Sequence, residues 1–222
     1  MISHDKIENS KNAGETGTML EYEFFGQISK LTNAKCMASV LLESFPNLSE
    51  KERTEKYIVA KDKFGNKFDA KDAKENYISR KRALQIVELC QFGSPEKPSK
   101  YFANDLYNAI WKKLNLTDGS KLKFFTAVGS SLDYLHDIDS YFKLYGPDGK
   151  EVALATINIS KIDERKETGK KAEILMYIDD KKKDLYDPSS ENFDKVAFAE
   201  IIEEYSSLIS DLLEAKMQSA QN

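Results

Sequence analysis

Cysteine is nearly missing from this chain. Cys36 and Cys90 are the only two in 222 residues, and neither belongs to a Cys-x-x-Cys pair. Zinc knuckles and disulfide frameworks drop out of the reading, and a reduced, cytoplasmic setting is the expectation. Long apolar runs are missing too: nothing approaches the roughly 18 residues that a membrane-spanning helix requires. Residues 1–17 are polar and rich in Gly, Ser and Asn, without the apolar centre of a secretory signal. There is no Gly-rich phosphate cradle, no Gly-x-Ser-x-Gly elbow and no Cys/His pairing suited to covalent catalysis. A positive excess is lacking as well. The net charge is −4, so the bulk composition does not carry the signature of a dedicated nucleic-acid binder.

What is present is enough for a packed core. Hydrophobic residues make up 41% and charged residues 32%, a mix that supports a buried interior surrounded by unusually polar helices. The length suits one substantial domain, or a core domain with a helical extension. Charge is unevenly spread. Residues 185–222 hold two lysines against eight acids, so an acidic C-terminal helix is expected there. Residues 97–123 hold six lysines against two aspartates, which makes them a candidate for a mildly basic face. Ordinary solvated surfaces would look the same.

Residues 1–18 read as disordered, because they offer almost nothing to bury. Apolar spacing predicts helices over 20–45, from Ser49 to about Gly65, from about Asp69 to Phe92, and over 99–114. The second opens on Ser49-Glu50-Lys51-Glu52, a capping box. After Gly119 the pattern changes to short apolar runs at 121–128, 138–145, 151–160 and 172–178, which read as strands. Gly146-Pro147-Asp148-Gly149 joins the middle two as a hairpin. A last helix is expected over about 193–217. The fold class that follows is α+β: a helical N-terminal half packed on a small mixed sheet of about four strands, with a long C-terminal helix. The organisation reads as a tail over 1–18, a helical region over 19–97 and an α+β core over 98–222.

The hairpin is the candidate site. A four-residue turn over 146–149 would pair Tyr145 with Lys150, setting Asp139 opposite Thr156 and Asp137 opposite Asn158. Asp137, Asp139, Thr156, Asn158 and Ser160 would then converge on one face. Oxygen donors so grouped suit Mg²⁺ or Mn²⁺, with Asp139 and Asp137 as the metal ligands. Lys161 is the nearest cation for steadying charge on a reacting phosphate oxygen. A slip of one residue would scatter the set. His136 reads as a loop hydrogen-bonder or a general base. Asp133 fits a cap on the turn after Ser130-Ser131 as well as a ligand.

One family enters on particular residues. Phe124-Phe125-Thr126-Ala127-Val128-Gly129-Ser130, then Leu132-Asp133, His136-Asp137-Ile138-Asp139 and Tyr141-Phe142, resembles the core of the PD-(D/E)XK nuclease-like proteins of phages and bacteria. The likeness covers roughly residues 99–180. It implies a metal-dependent nuclease acting on DNA or RNA, with Asp139 as the acid at the head of the second core strand. The family's acid-x-lysine would fall at Asn158-Ile159-Ser160, with Lys161 one step late. The catalytic set is thus Asp139, Asn158, Ser160 and Lys161, and Lys166, Lys170 or Lys171 are substitutes for the displaced lysine. Two departures stand out. Asn158 replaces an acid, and residues 162–171 leave little room for the helix that the family core has before its fourth strand. The alternative is a non-catalytic α+β protein that works by binding, with the helical half or the C-terminal helix as its protein-interaction surface.

Overall fold

The computed structural model describes residues 20–28, 38, 42, 47–65, 78–91, 93–116, 121–160 and 172–221. Its elements are α1 (Glu50–Gly65), α2 (Arg80–Cys90), α3 (Tyr101–Lys113), β1 (Leu122–Thr126), α4 (Ser131–His136), β2 (Ser140–Tyr145), β3 (Glu151–Ser160), β4 (Ile174–Tyr177), a 3-10 helix (Asp180–Tyr186) and α5 (Lys195–Gln221). Residues 20–25 are also helical. The α+β reading is correct: helices surround a four-stranded mixed sheet, and a long helix closes the chain.

The strands lie in the order β1-β2-β3-β4, antiparallel except for the parallel pair β3–β4. Alternation assigns the two faces. Phe124, Phe142, Ala155 and Ile157 point to one side, where α3 and α5 bring Leu106, Ile110, Ile202 and Ile209. Phe125 and Tyr141 point to the other, against Ala83, Ile86 and Val87 of α2 and Leu132 of α4. The sheet is therefore the middle of three layers, and period-2 alternation in β1 and β2 serves both cores. Leu20, Phe24 and Phe25 of the N-terminal helical residues join the first core, with Phe24 edge-on to Phe102 at 4.5 Å between ring centroids.

Several boundaries differ from those read off the sequence. The helix expected over 20–45 is broken: residues 26–28 are not helical, and Gly26 takes φ +78°. Only glycine adopts that conformation at no steric cost. It turns Ile28 toward the sheet layer, where the Ile28 amide donates to the Val128 carbonyl. The helix that reaches Cys90 starts at Arg80, because Ser79 is extended at ψ 149°; residues 69–77 lie outside the described residues. Helix α4, inside what read as a connection, was missed. The Ser49 capping box is real: the Ser49 amide donates to Glu52 Oε2 at 3.0 Å, and the Glu52 amide to Ser49 Oγ at 3.4 Å.

The hairpin register needs a correction. Tyr145 pairs with Glu151 rather than Lys150, and a bulge between Leu144 and Tyr145 moves the register once more. Ser140 therefore faces Ile157 and Tyr141 faces Thr156. By that count Asp139 stands opposite Asn158, two residues from the partner expected. A bulge puts two residues against one and is invisible to a count made from the turn.

Cys90 is disulfide-bonded. The chain's other cysteine is Cys36, outside the described residues. The expectation of reduced thiols fails, and with it the argument for a reducing compartment. Among the described residues, no helix is long and apolar enough to cross a membrane.

Candidate metal centre

One end of the sheet gathers the site. β1 ends there, β2 begins there, and β3 and β4 both end there, because Thr126 pairs with Ser140, Ser140 with Ile157 and Ser160 with Tyr177. The connection from β1 to β2 carries the acids. Gly129 turns at φ +81°, and Ser130 caps α4 by accepting from the Leu132 amide at 3.1 Å. One helical position further, Asp133 reaches back so that its Oδ2 accepts from the Gly129 amide at 2.8 Å. This is a capping-box exchange shifted by one residue, and it fixes the Asp133 carboxylate against the loop.

Asp137 ends α4 in the left-handed region, φ 50° and ψ 48°. The chain there swings out of the strand direction before β2 begins. Asp139 closes the gap with three bonds. Its amide donates to the Ile157 carbonyl at 2.9 Å, its carbonyl accepts from Ala127 at 2.7 Å, and its Oδ2 accepts from the Ile159 amide at 2.6 Å. The side chain thus replaces a strand carbonyl and is held rigidly, with only 1% of the residue exposed.

Glu21, from the N-terminal helical residues, completes the group. One carboxylate oxygen each of Glu21, Asp133 and Asp139 lies within 4.8 Å of the others. Like charges held so close in a buried place resist ionisation. Burial pushes the Asp133 carboxyl up to about 6, the Gly129 amide opposes that shift, and the Asp137 charge adds to it. Burial likewise raises Asp139 well above its ordinary range, followed by the charges of Glu21 and Asp133, against the pull of the Ile159 amide. Tyr134, beside Asp133 in sequence, is raised by burial and by the charges of Asp133 and Glu21. Three carboxylates are hard oxygen donors, the set that Mg²⁺ or Mn²⁺ prefers. Such an ion would also relieve their repulsion.

The predicted residues are only partly brought together. Asp139 sits in the cluster. The Asp137 side chain is exposed, and the residue meets Asn158 through its backbone: Asn158 Nδ2 donates to the Asp137 carbonyl at 3.1 Å. Ser160 is nearly buried at the end of β3. Thr156 turns away to Glu173, whose Oε2 accepts from its hydroxyl at 3.2 Å, and to Arg80. Lys161, Lys166, Lys170 and Lys171 lie outside the described residues. His136 bonds the Ile78 carbonyl through Nε2 at 2.9 Å. Trp111 is packed against the first core.

One carboxylate, Glu21, escaped the sequence reading. Asp133 was left between cap and ligand; it caps Gly129 and also faces the other acids. A signal for its helix exists, since Ser130-Ser131-Leu132-Asp133 is itself a Ser-x-x-Asp capping pattern. Nothing local marks Glu21, which comes from a segment far away in the chain. No family model, curated protein or solved structure matches this chain.

Proposed function

We propose that this chain is a divalent-metal-dependent, nuclease-like protein acting on DNA or RNA phosphodiesters through Glu21, Asp133 and Asp139. The observation that carries the reading is the convergence of three carboxylates within 4.8 Å, one of them at the head of β2. That position is where the PD-(D/E)XK resemblance expects an acid.

Bound Mg²⁺ or Mn²⁺ would supply a polarised water and a counter-charge for a phosphate oxygen. The protein's own residues have simpler tasks. Asp139 holds its carboxylate in place through the Ile159 amide, and Asp133 does so through Gly129. Glu21 closes the third side. Their closeness favours keeping a proton among them when no cation is present.

A second reading has its own support. Asn158 stands where an acid is expected and spends its amide on the Asp137 carbonyl, and Ser160 stands where a lysine is expected. Ile58 and Val59 are exposed on α1, an apolar feature suited to a protein partner. A protein that kept the fold and works by binding would look like this. A cytoplasmic location belongs to the first reading, with the nucleic-acid substrate as its support; the disulfide at Cys90 weighs against it.

The test is calorimetric titration with Mn²⁺ and Mg²⁺, followed by incubation of plasmid and single-stranded DNA at low salt. The native chain should bind the cation and nick the DNA, and Asp139→Asn and Asp133→Asn should each abolish both. Cation binding that ignores these substitutions would remove the metal centre. Binding without cleavage would leave the second reading.

A further inference from the structure

A groove of about 440 Å³ opens between α2 and the sheet, lined by Arg80, Lys81, Leu84, Gln85, Glu88, Lys143 and Glu151. Its charges are not equivalent. Lys143, only 7% exposed, lies 2.6 Å from both Glu88 and Glu151 and is neutralised by them. The remaining positive charge comes from Arg80 and Lys81, with Arg82 beside them. No acid occupies the first turn of α2 to offset the three. Lys81 is exposed, and Arg82 holds its own helix through Gln85. Arg80 leans the other way, donating from Nη2 to Thr156 Oγ1 at 3.4 Å.

That contact joins the groove to the sheet at β3. Thr156 lies on the face of β3 that carries Leu154, and its partner Tyr141 follows Asp139 by two residues. Two strand residues span about 7 Å, on the scale of one nucleotide. Ile78, two residues before Arg80, is bonded to His136 of α4, the helix that carries Asp133. Arg80 is thus tied both to the strand pair that Asp139 heads and, through Ile78, to the helix that carries Asp133.

We infer that the groove bearing Arg80 and Lys81 binds the phosphate backbone of a nucleic-acid strand and leads it across the sheet to the carboxylate cluster. This rests on the nuclease-like reading for its destination, but not for the binding itself. A guanidinium already tethered through Thr156 loses little freedom on meeting a phosphate, which it matches with two donors. The exposed Lys81 adds a point charge. The groove also explains how an acidic chain could hold a polyanion: the positive charge is local, and the acidic residues of α5 lie on the opposite face of the sheet.

Binding is measured by anisotropy of a short fluorescein-labelled oligonucleotide, single-stranded and duplex, in EDTA. The salt range is about 50 to 200 mM, over which phosphate contacts show as a linear log–log slope. The native chain should bind. Arg80→Gln/Lys81→Gln should weaken binding and lower that slope by about two, and Lys81→Gln alone by about one. Lys150→Gln, at the exposed hairpin turn, should change it little. Melting curves identify a variant that fails to fold, and the exposed Lys81 carries the test if Arg80→Gln does. An unchanged slope in the folded variants would overturn the inference. So would an equal loss in Lys150→Gln, or binding to phosphatidylserine vesicles in place of oligonucleotides. Because EDTA removes the cation, oligonucleotide binding is read apart from the metal centre. A failed metal titration and a failed groove are therefore separate results.

Discussion

The Asp139 carboxylate accepts the Ile159 amide hydrogen at 2.6 Å, so one side chain both completes the ladder between β2 and β3 and contributes to the acid cluster. These two duties separate under mutation. Asn keeps an oxygen for the Ile159 amide but loses the charge. Asp139→Asn should therefore fold with native or slightly higher stability while losing cation affinity. Ala removes the acceptor and leaves a buried amide without it, which costs about 1–3 kcal/mol. Urea unfolding of the two variants side by side checks this. Equal destabilisation by Asn and Ala would show that the hydrogen bond does not hold the site.

The raised carboxyls give stability an unusual pH dependence. Asp133 is raised from 3.8 to about 6. Between those values the folded chain holds a proton that the unfolded chain has released. Linkage then makes folding less favourable as pH rises across that window. The contribution is fully present below the unfolded value and lost by the folded one, and Asp139, raised further, extends the loss upward. Without divalent cation, melting temperature should fall between about pH 4 and 6. Saturating Mn²⁺ should flatten the fall, because the ion binds the ionised form and returns its binding free energy to the fold. A melting temperature that rises through this window without divalent cation would contradict the cluster.

How much of this was legible follows from where each signal lies. The Gly-Pro-Asp-Gly turn and the strands beside it are local patterns, and β3 has the expected bounds, residues 151–160. Asp139 was legible because it sits at a strand start. The bulge at Leu144 and Tyr145 has no composition signature, so the register was off by two although the face was preserved. Gly26 hid inside a helical run because a single glycine is often tolerated there; only the bond from the Ile28 amide to Val128, across the chain, requires the break. Glu21 was illegible in principle. Its role depends on the packing of Phe24 and Phe25 into the first core, which brings residues 20–25 to the sheet.

Gly129 should be among the least replaceable residues of the connection. Its φ of +81° is strained for any L side chain, although the space around an added methyl is ordinary, with the Ile28 carbonyl oxygen at 3.7 Å. The cost is conformational, about 1 kcal/mol or somewhat more. A second effect is local: tilting this residue moves the amide that Asp133 uses. Gly129→Ala should lower both unfolding free energy and Mn²⁺ affinity, whereas Gly93→Ala, also at positive φ but remote from the acids, should lower only the first. Loss of metal affinity in both would mean that general destabilisation is responsible.

The disulfide at Cys90 makes the last prediction. Cys90 is buried at the end of α2, on the face that packs against the sheet, so its chemistry bears on how that helix is held. Alkylation of the denatured chain without reductant should leave the Cys90 peptide unlabelled, and prior reduction should label it. Reduction of the native chain should lower its melting temperature, since a cross-link restrains the unfolded ensemble, with an effect typically of about 2–4 kcal/mol. Because α2 carries Arg80 and Lys81, reduction should also weaken oligonucleotide binding more than cation binding. Full labelling of Cys90 without reductant, in protein prepared under oxidising conditions, would show that the bond does not form and would restore the case for a reducing compartment.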